Sequence, residues 1–183
     1  MKTKEFTFKS ATGVCDIYAC RYTPDDDAVK AVIAINHGMA EHQARYRDFV
    51  SFLTSNGFAV YMHDMANHGK SNTDKNLTGY FGKKDGYKAL VKDFDAVVKT
   101  AKADYPDKKL VVMGHSMGSF IVRCYTAWYP NAGFDGAIYM GTGGSNPIAG
   151  VGDFVSSLIA KVTGYKKKVA LLDKMTFGSY NDK

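Results

Sequence analysis

Between residues 31 and 141 the chain alternates two patterns, and that alternation narrows the folds open to it more than any other feature. Four continuous apolar runs, AVIAIN (31–36), FAVYMHD (58–64), KLVVMG (109–114) and FDGAIYMG (134–141), alternate with stretches whose apolar residues recur at helical spacing. An unbroken apolar run suits a strand buried on both faces, the habit of a parallel sheet covered by helices. The intervening stretches fit amphipathic helices. In 44–56 the stripe is Tyr46, Phe49, Val50 and Leu53, closed by Gly57; in 86–104 it is Leu90, Val91, Phe94, Val97 and Val98; a third helix runs from 116 toward Pro130. Ahead of them, EFTFKS and VCDIYACRY alternate with period two around the turn ATG. The expected fold is therefore α/β: a mainly parallel sheet with flanking helices, led by an antiparallel hairpin.

A chain of 183 residues, 45% hydrophobic and 23% charged, can fill one core. It has no apolar run long enough to span a bilayer, and MKTKEFTFKS lacks the apolar segment of a signal peptide. Three cysteines (15, 20 and 124) make no CxxC pair and read as reduced thiols, so a cytoplasmic protein is expected. The net charge of +6 owes part of its value to Lys166, Lys167 and Lys168. Without interleaved aromatics or a binding motif this is not a nucleic-acid signature. It reads first as a solvated face and second as a contact with an anionic membrane surface.

Three short stretches carry chemistry. Gly114-His115-Ser116-Met117-Gly118 fits G-x-S-x-G, preceded by a buried strand and followed by a helix. That context fits a sharp strand-to-helix turn that lifts a nucleophilic serine above a sheet, with the helix N-terminus favouring developing negative charge. His115 within the turn reads as a packed structural histidine directed away from the serine. After the first buried strand comes INHGMAEH (35–42). An oxyanion hole of this architecture takes one backbone N–H from the residue after the serine and one from such a loop. The candidates are Met117 and Met39, with His37 shaping the loop rather than serving as the base. The third stretch, HDMANHGKS (63–71), offers His63, Asp64 and His68, yet no further ligand stands at a spacing typical of zinc, and no metal or cofactor is expected.

Taken together, NHGMAEHQARY, HDMANHGKS and GHSMGS resemble, in order, the α/β-hydrolases of the monoacylglycerol lipase and lysophospholipase group, also called serine aminopeptidase-like hydrolases. The resemblance implies Ser116 as nucleophile and the Met39 and Met117 amides as oxyanion hole. Gly38, Glu41, His42 and Arg45 would shape the neighbouring loop and helix start, while Asp64, His68 and Gly69 match the structural D-x-x-G-H-G-x-S element. The family has arginine and glycine where this chain has Ala66 and Asn67, and asparagine tolerates the left-handed backbone that glycine would adopt. The resemblance also implies a division: residues 1–141 as the N-terminal part of the hydrolase core, and 142–183 as the start of a cap whose apolar stripe at 154–162 would help line an acyl channel.

In such hydrolases the triad runs Ser, then Asp or Glu, then His. The five histidines, at 37, 42, 63, 68 and 115, all precede Ser116. The expectation is an N-terminal portion of a serine hydrolase of lipid-type carboxylic esters, lacking the triad acid and base and inactive alone. Other readings stand beside it: a split enzyme, a non-catalytic acyl-lipid binder, or a peptidase-type relative. An unpaired strand at 136–140 would invite self-association.

Overall fold

The computed structural model describes residues 1–82, 84–144 and 164. Strands β1 (Lys2–Lys9) and β2 (Asp16–Thr23) form the leading hairpin, in register from Lys2↔Thr23 to Lys9↔Asp16. Four more strands follow: β3 (Ala31–Asn36), β4 (Phe58–His63), β5 (Leu110–His115) and β6 (Gly136–Met140). They join in the order β1-β2-β4-β3-β5-β6, with β3 parallel to β4 and β5, and β5 parallel to β6. The hairpin meets the parallel part through the antiparallel β2–β4 pair. The α/β sheet led by a hairpin is thus as the periodicity predicts.

The continuous apolar runs have a direct structural cause. On β3, Val32 and Ala34 enter one core, while Ile33 and Ile35 enter another on the opposite face. The second core is covered by helix α1 (Arg47–Ser55) through Val50 and Leu53. The first is covered by α2 (Gly86–Asp104) and α3 (Met117–Trp128), through residues such as Phe94, Val98, Val122 and Tyr125. With both faces occupied, no polar alternation is left to read.

Helix α2 has the bounds the sequence gives it. The helix expected over 44–56 instead opens as a 3-10 turn, Gln43–Tyr46, and becomes α-helical only from Arg47 to Ser55, after which Gly57 turns at φ 88°. After β3 the chain passes to α1 on one face, and after β5 to α3 on the other. Two adjacent parallel strands whose outgoing loops part in this way open a crevice at their carboxyl ends, the usual ligand position in open α/β sheets. Here those ends are Asn36 and His115.

Residues Met1–Gly143 make one compact unit. Strand β6 is the sheet edge among the described residues, with Ile138 45% and Met140 44% exposed. The cap expected at 142–183, its apolar stripe and Lys166–Lys168 lie outside the described residues, apart from 142–144 and Gly164.

Candidate active site

Strand β5 ends at His115 and α3 starts at Met117, leaving Ser116 alone in the turn at φ 51°, ψ −120°. A left-handed φ on a residue with a Cβ is strained, and such strain gathers at functional sites. The turn is held from both sides. Ser116 N–H donates to the Met140 carbonyl at 2.9 Å, while its own carbonyl accepts from Ser119 N–H at 2.9 Å and Ser119 Oγ at 2.6 Å. Both flanking glycines are obligatory. A Cβ on Gly114 would run into the backbone of Gly118 and Ser119, and one on Gly118 into the carbonyls of Asn36 and His37. Ser116 Oγ bonds to no side chain among the described residues. Met117, at the first position of α3, has an N–H with no intrahelical acceptor.

The loop after β3 comes directly against this turn. A Cβ on Gly38 would lie 3.1 Å from Ser116 Cβ, 3.3 Å from His115 Nδ1 and 2.7 Å from Glu41 Oε1. That single carboxylate oxygen accepts from Gly38 N–H at 2.5 Å, Tyr46 Oη at 2.7 Å and His115 Nδ1 at 3.0 Å. Arg45 lies 3.6 Å from the other oxygen. Burial alone would raise the Glu41 carboxyl, but the bonds from His115, Tyr46 and Gly38 outweigh it and hold it below its ordinary value. Glu41 joins the two loops that carry Met39 and Met117.

His115 does turn toward Glu41 and Tyr46, but it is not packed as expected. Its side chain stays 37% exposed, because Gly38 and Gly141 leave room on either side of the ring. It borders a cleft of about 330 Å³ on the α1 face, with Arg45, Tyr46, Phe49 and Met140. His42 is exposed at the start of the 3-10 turn.

The third stretch is structural in every bond it makes. Asp64 is buried; its Oδ1 accepts from Gln43 N–H and its Oδ2 from Lys70 N–H, each at 2.7 Å. Burial raises its carboxyl, and these two N–H bonds only oppose that rise. Ser71 Oγ donates to the Asp64 carbonyl and accepts from Tyr18 N–H, fastening the turn to β2. Gly69 must be glycine, since a Cβ there would overlap the Asp64 carboxylate. Asn67 stands at φ 54°, the left-handed geometry expected of it, with its amide on the Tyr80 carbonyl at 2.6 Å. Ala66 is fully buried in the arginine's place.

The remaining histidines are committed elsewhere. His37 Nε2 accepts from Met65 N–H at 3.0 Å, so the proton sits on Nδ1, which donates to the Gly38 carbonyl at 2.7 Å. Burial pushes its pKa down to about 4. His68 has the same tautomer: Nδ1 donates to the Ala66 carbonyl at 3.0 Å, and Nε2 accepts from Ala40 N–H at 3.3 Å. His63 is wholly buried with neither ring nitrogen bonded, and burial depresses it to about 3.

The sequence profile of the family described as serine aminopeptidase, S33, matches residues 27–174. The chain belongs to that S33 family. Among curated relatives, it is 32% identical over 169 residues to a monoacylglycerol lipase of Mycolicibacterium smegmatis, covering 91% of this chain and 54% of that protein. It is 36% identical over 106 residues to a monoglyceride lipase homolog of monkeypox virus, covering 58% of this chain and 36% of the viral one. Among solved structures, a highly thermostable carboxyl esterase from Bacillus coagulans superposes with a TM-score of 0.82 at 30% identity, over 95% of this chain and 56% of the esterase. The fold is that of the α/β-hydrolases. This S33-family chain spans about half the length, or less, of these three proteins.

Two residues of this candidate site escape the sequence reading. Tyr46 counts there only as one apolar position of a helical stripe, yet its hydroxyl bonds both Glu41 and His115. Gln43 supplies the N–H that reaches Asp64 and accepts from Tyr22 Oη. The available signal was their place in EHQARY, directly after Glu41.

Proposed function

We propose that this chain is the nucleophile-bearing portion of a serine hydrolase of lipid-type carboxylic esters, with monoacylglycerols and lysophospholipids as the substrate class. The observation that carries the reading is Ser116, strained at φ 51° at the head of α3 and pressed against the Gly38–Met39 loop. Its Oγ attacks the ester carbonyl carbon, and the carbonyl oxygen takes up the negative charge between the Met39 and Met117 N–H groups. Collapse expels the alcohol, which leaves with the proton, and water then releases the acid from the acyl-serine. The bonds of His37 and His68, the burial of His63, the exposure of His42 and the contact of His115 with Glu41 support the reading that none of these histidines is the base for Ser116. The lipase and esterase names of the relatives support lipid-type esters such as monoacylglycerols, and the resemblance of the motifs adds lysophospholipids. Free thiols at Cys15, Cys20 and Cys124 suit a reducing, cytoplasmic setting.

A second reading, a split enzyme whose partner polypeptide brings the acid and base, rests on the same histidine placement. One experiment addresses both. Ester hydrolysis and fluorophosphonate labelling are measured for the chain alone and after adding the separately expressed C-terminal half of a longer relative. The chain alone is expected to turn over little. Labelling at Ser116 that is lost in Ser116→Ala supports the nucleophile; undiminished ester turnover in Ser116→Ala overturns it. A chain-length series of p-nitrophenyl esters tests the lipid class, and strong preference for acetate refutes it.

A further inference from the structure

Two buried polar side chains stand side by side in the sheet, and neither forms a hydrogen bond. Among the described residues, seven buried side-chain nitrogen and oxygen atoms bond to no other group of the protein, and four of the seven belong to Asn36 and His63. Both residues are 0% exposed. Asn36 ends β3 and His63 ends β4, and the parallel register, Ala34↔Tyr61 then Ile35↔Met62, makes them direct neighbours in the next rung. Ala34 and Tyr61 both enter the core under α2 and α3, so by alternation the side chains two residues further on face the same way. Phe94 of α2 lies over His63, with ring centroids 6.2 Å apart. The outer neighbours in this rung, Ala19 beside His63 and Gly114 beside Asn36, offer no polar side chain. Native proteins leave no more than about one in ten buried polar groups unbonded, so two adjacent side chains with every polar atom unmet call for a shared ligand.

We propose that Asn36 and His63 form an internal water site, in which one water bridges the carboxamide and the imidazole and ties together the carboxyl ends of β3 and β4. The spacing fits that ligand. Neighbouring strands lie about 4.8 Å apart. Two atoms that share one water, each about 2.8 Å from it, stand about 4.6 Å from each other. The chemistry fits as well. A neutral imidazole has one donor and one acceptor, and a carboxamide has both, so a water can accept from one residue and donate to the other whichever tautomer His63 holds. Burial keeps that ring neutral, and no carboxylate opposes the shift among the described residues. A buried site without negative charge suits a neutral ligand, not a metal ion. The inference is independent of any role for Ser116.

The test uses the 183-residue chain with isotope-labelled histidine. Water-selective NOE and ROE spectra are recorded at the carbon-bound ring protons of His63. A water of long residence gives cross-peaks of opposite sign in the two experiments. They should be present in the parent and lost in Asn36→Leu. The second readout is stability, from urea unfolding. With a bridging water, Asn36→Leu and His63→Leu each strip one partner from it and should lower the folding equilibrium constant about tenfold, while the double variant recovers most of that loss. With no water there, either leucine removes an unmet polar group and raises the constant instead. Three results overturn the site: no water cross-peak at His63 in the parent, a cross-peak that survives Asn36→Leu, or single variants more stable than the parent. A scalar coupling across a direct Asn36–His63 hydrogen bond overturns it as well. The parent spectra need no substitution, so they judge the proposal even where a variant fails to fold.

Discussion

Replacing Asp64 by alanine should be among the most damaging single changes in this chain, although the side chain touches neither Ser116 nor any substrate path. Its two oxygens are the acceptors for Gln43 N–H and Lys70 N–H, both at 2.7 Å, the first buried and the second partly buried. Alanine leaves those two donors without a partner, at about 1–3 kcal/mol each, or roughly 2–6 kcal/mol together. Part of that loss is offset. Burial already raises the Asp64 carboxyl, so its removal relieves a desolvation cost, which points to the lower half of the range. The expected destabilisation is about 2–3 kcal/mol, a large share of the ~5–15 kcal/mol that holds a typical domain. Asp64→Asn keeps one acceptor oxygen and turns an NH₂ group toward the other N–H, so it should fall between parent and alanine. Urea unfolding followed by circular dichroism measures the order, with the slope of the transition as the check that only stability has changed. An Asp64→Ala midpoint within about 0.5 kcal/mol of the parent, the range of an ordinary surface substitution, would refute the argument that these bonds hold the turn.

Acid should destabilise the fold well before its carboxylates titrate. An unfolded imidazole takes up a proton near 6.5, whereas His37 resists until about 4 and His63 until about 3. Stability is therefore complete above pH 6.5 and declines as pH falls toward 4, by roughly 3 kcal/mol for His37 alone. Asp64 and Asp93, whose carboxyls burial raises, act in the opposite sense and soften the slope. Urea midpoints recorded from pH 7.5 to 4.5 should fall; a flat profile contradicts the burial argument. The β6 edge, with Ile138 and Met140 exposed on the α1 face, should drive self-association of the 183-residue chain. Ile138→Lys with Met140→Lys should lower its light scattering, and a monodisperse parent would contradict the prediction.

What the sequence determined by itself is whatever depends on near neighbours in the chain. Helix α2 could be bounded because its stripe repeats every three to four residues between Gly86 and Asp104. The strands could be found because unbroken apolar runs have few other uses, and the turn at Ser116 because its two glycines flank it. Asn67 in left-handed backbone follows from its own side chain. Tertiary structure alone decided what each polar group meets. Glu41 meets His115 across 74 positions, and Gln43 meets Asp64 across 21. No periodicity records such distances. The tautomer of His37 depends on Met65, 28 residues away, and the half-exposed ring of His115 depends on glycines at 38 and 141. The physical reason is range: backbone conformation is set by sterics over a few residues. The hydrogen bond on the Gly38 carbonyl is instead set by an imidazole and an amide that only the assembled sheet brings together.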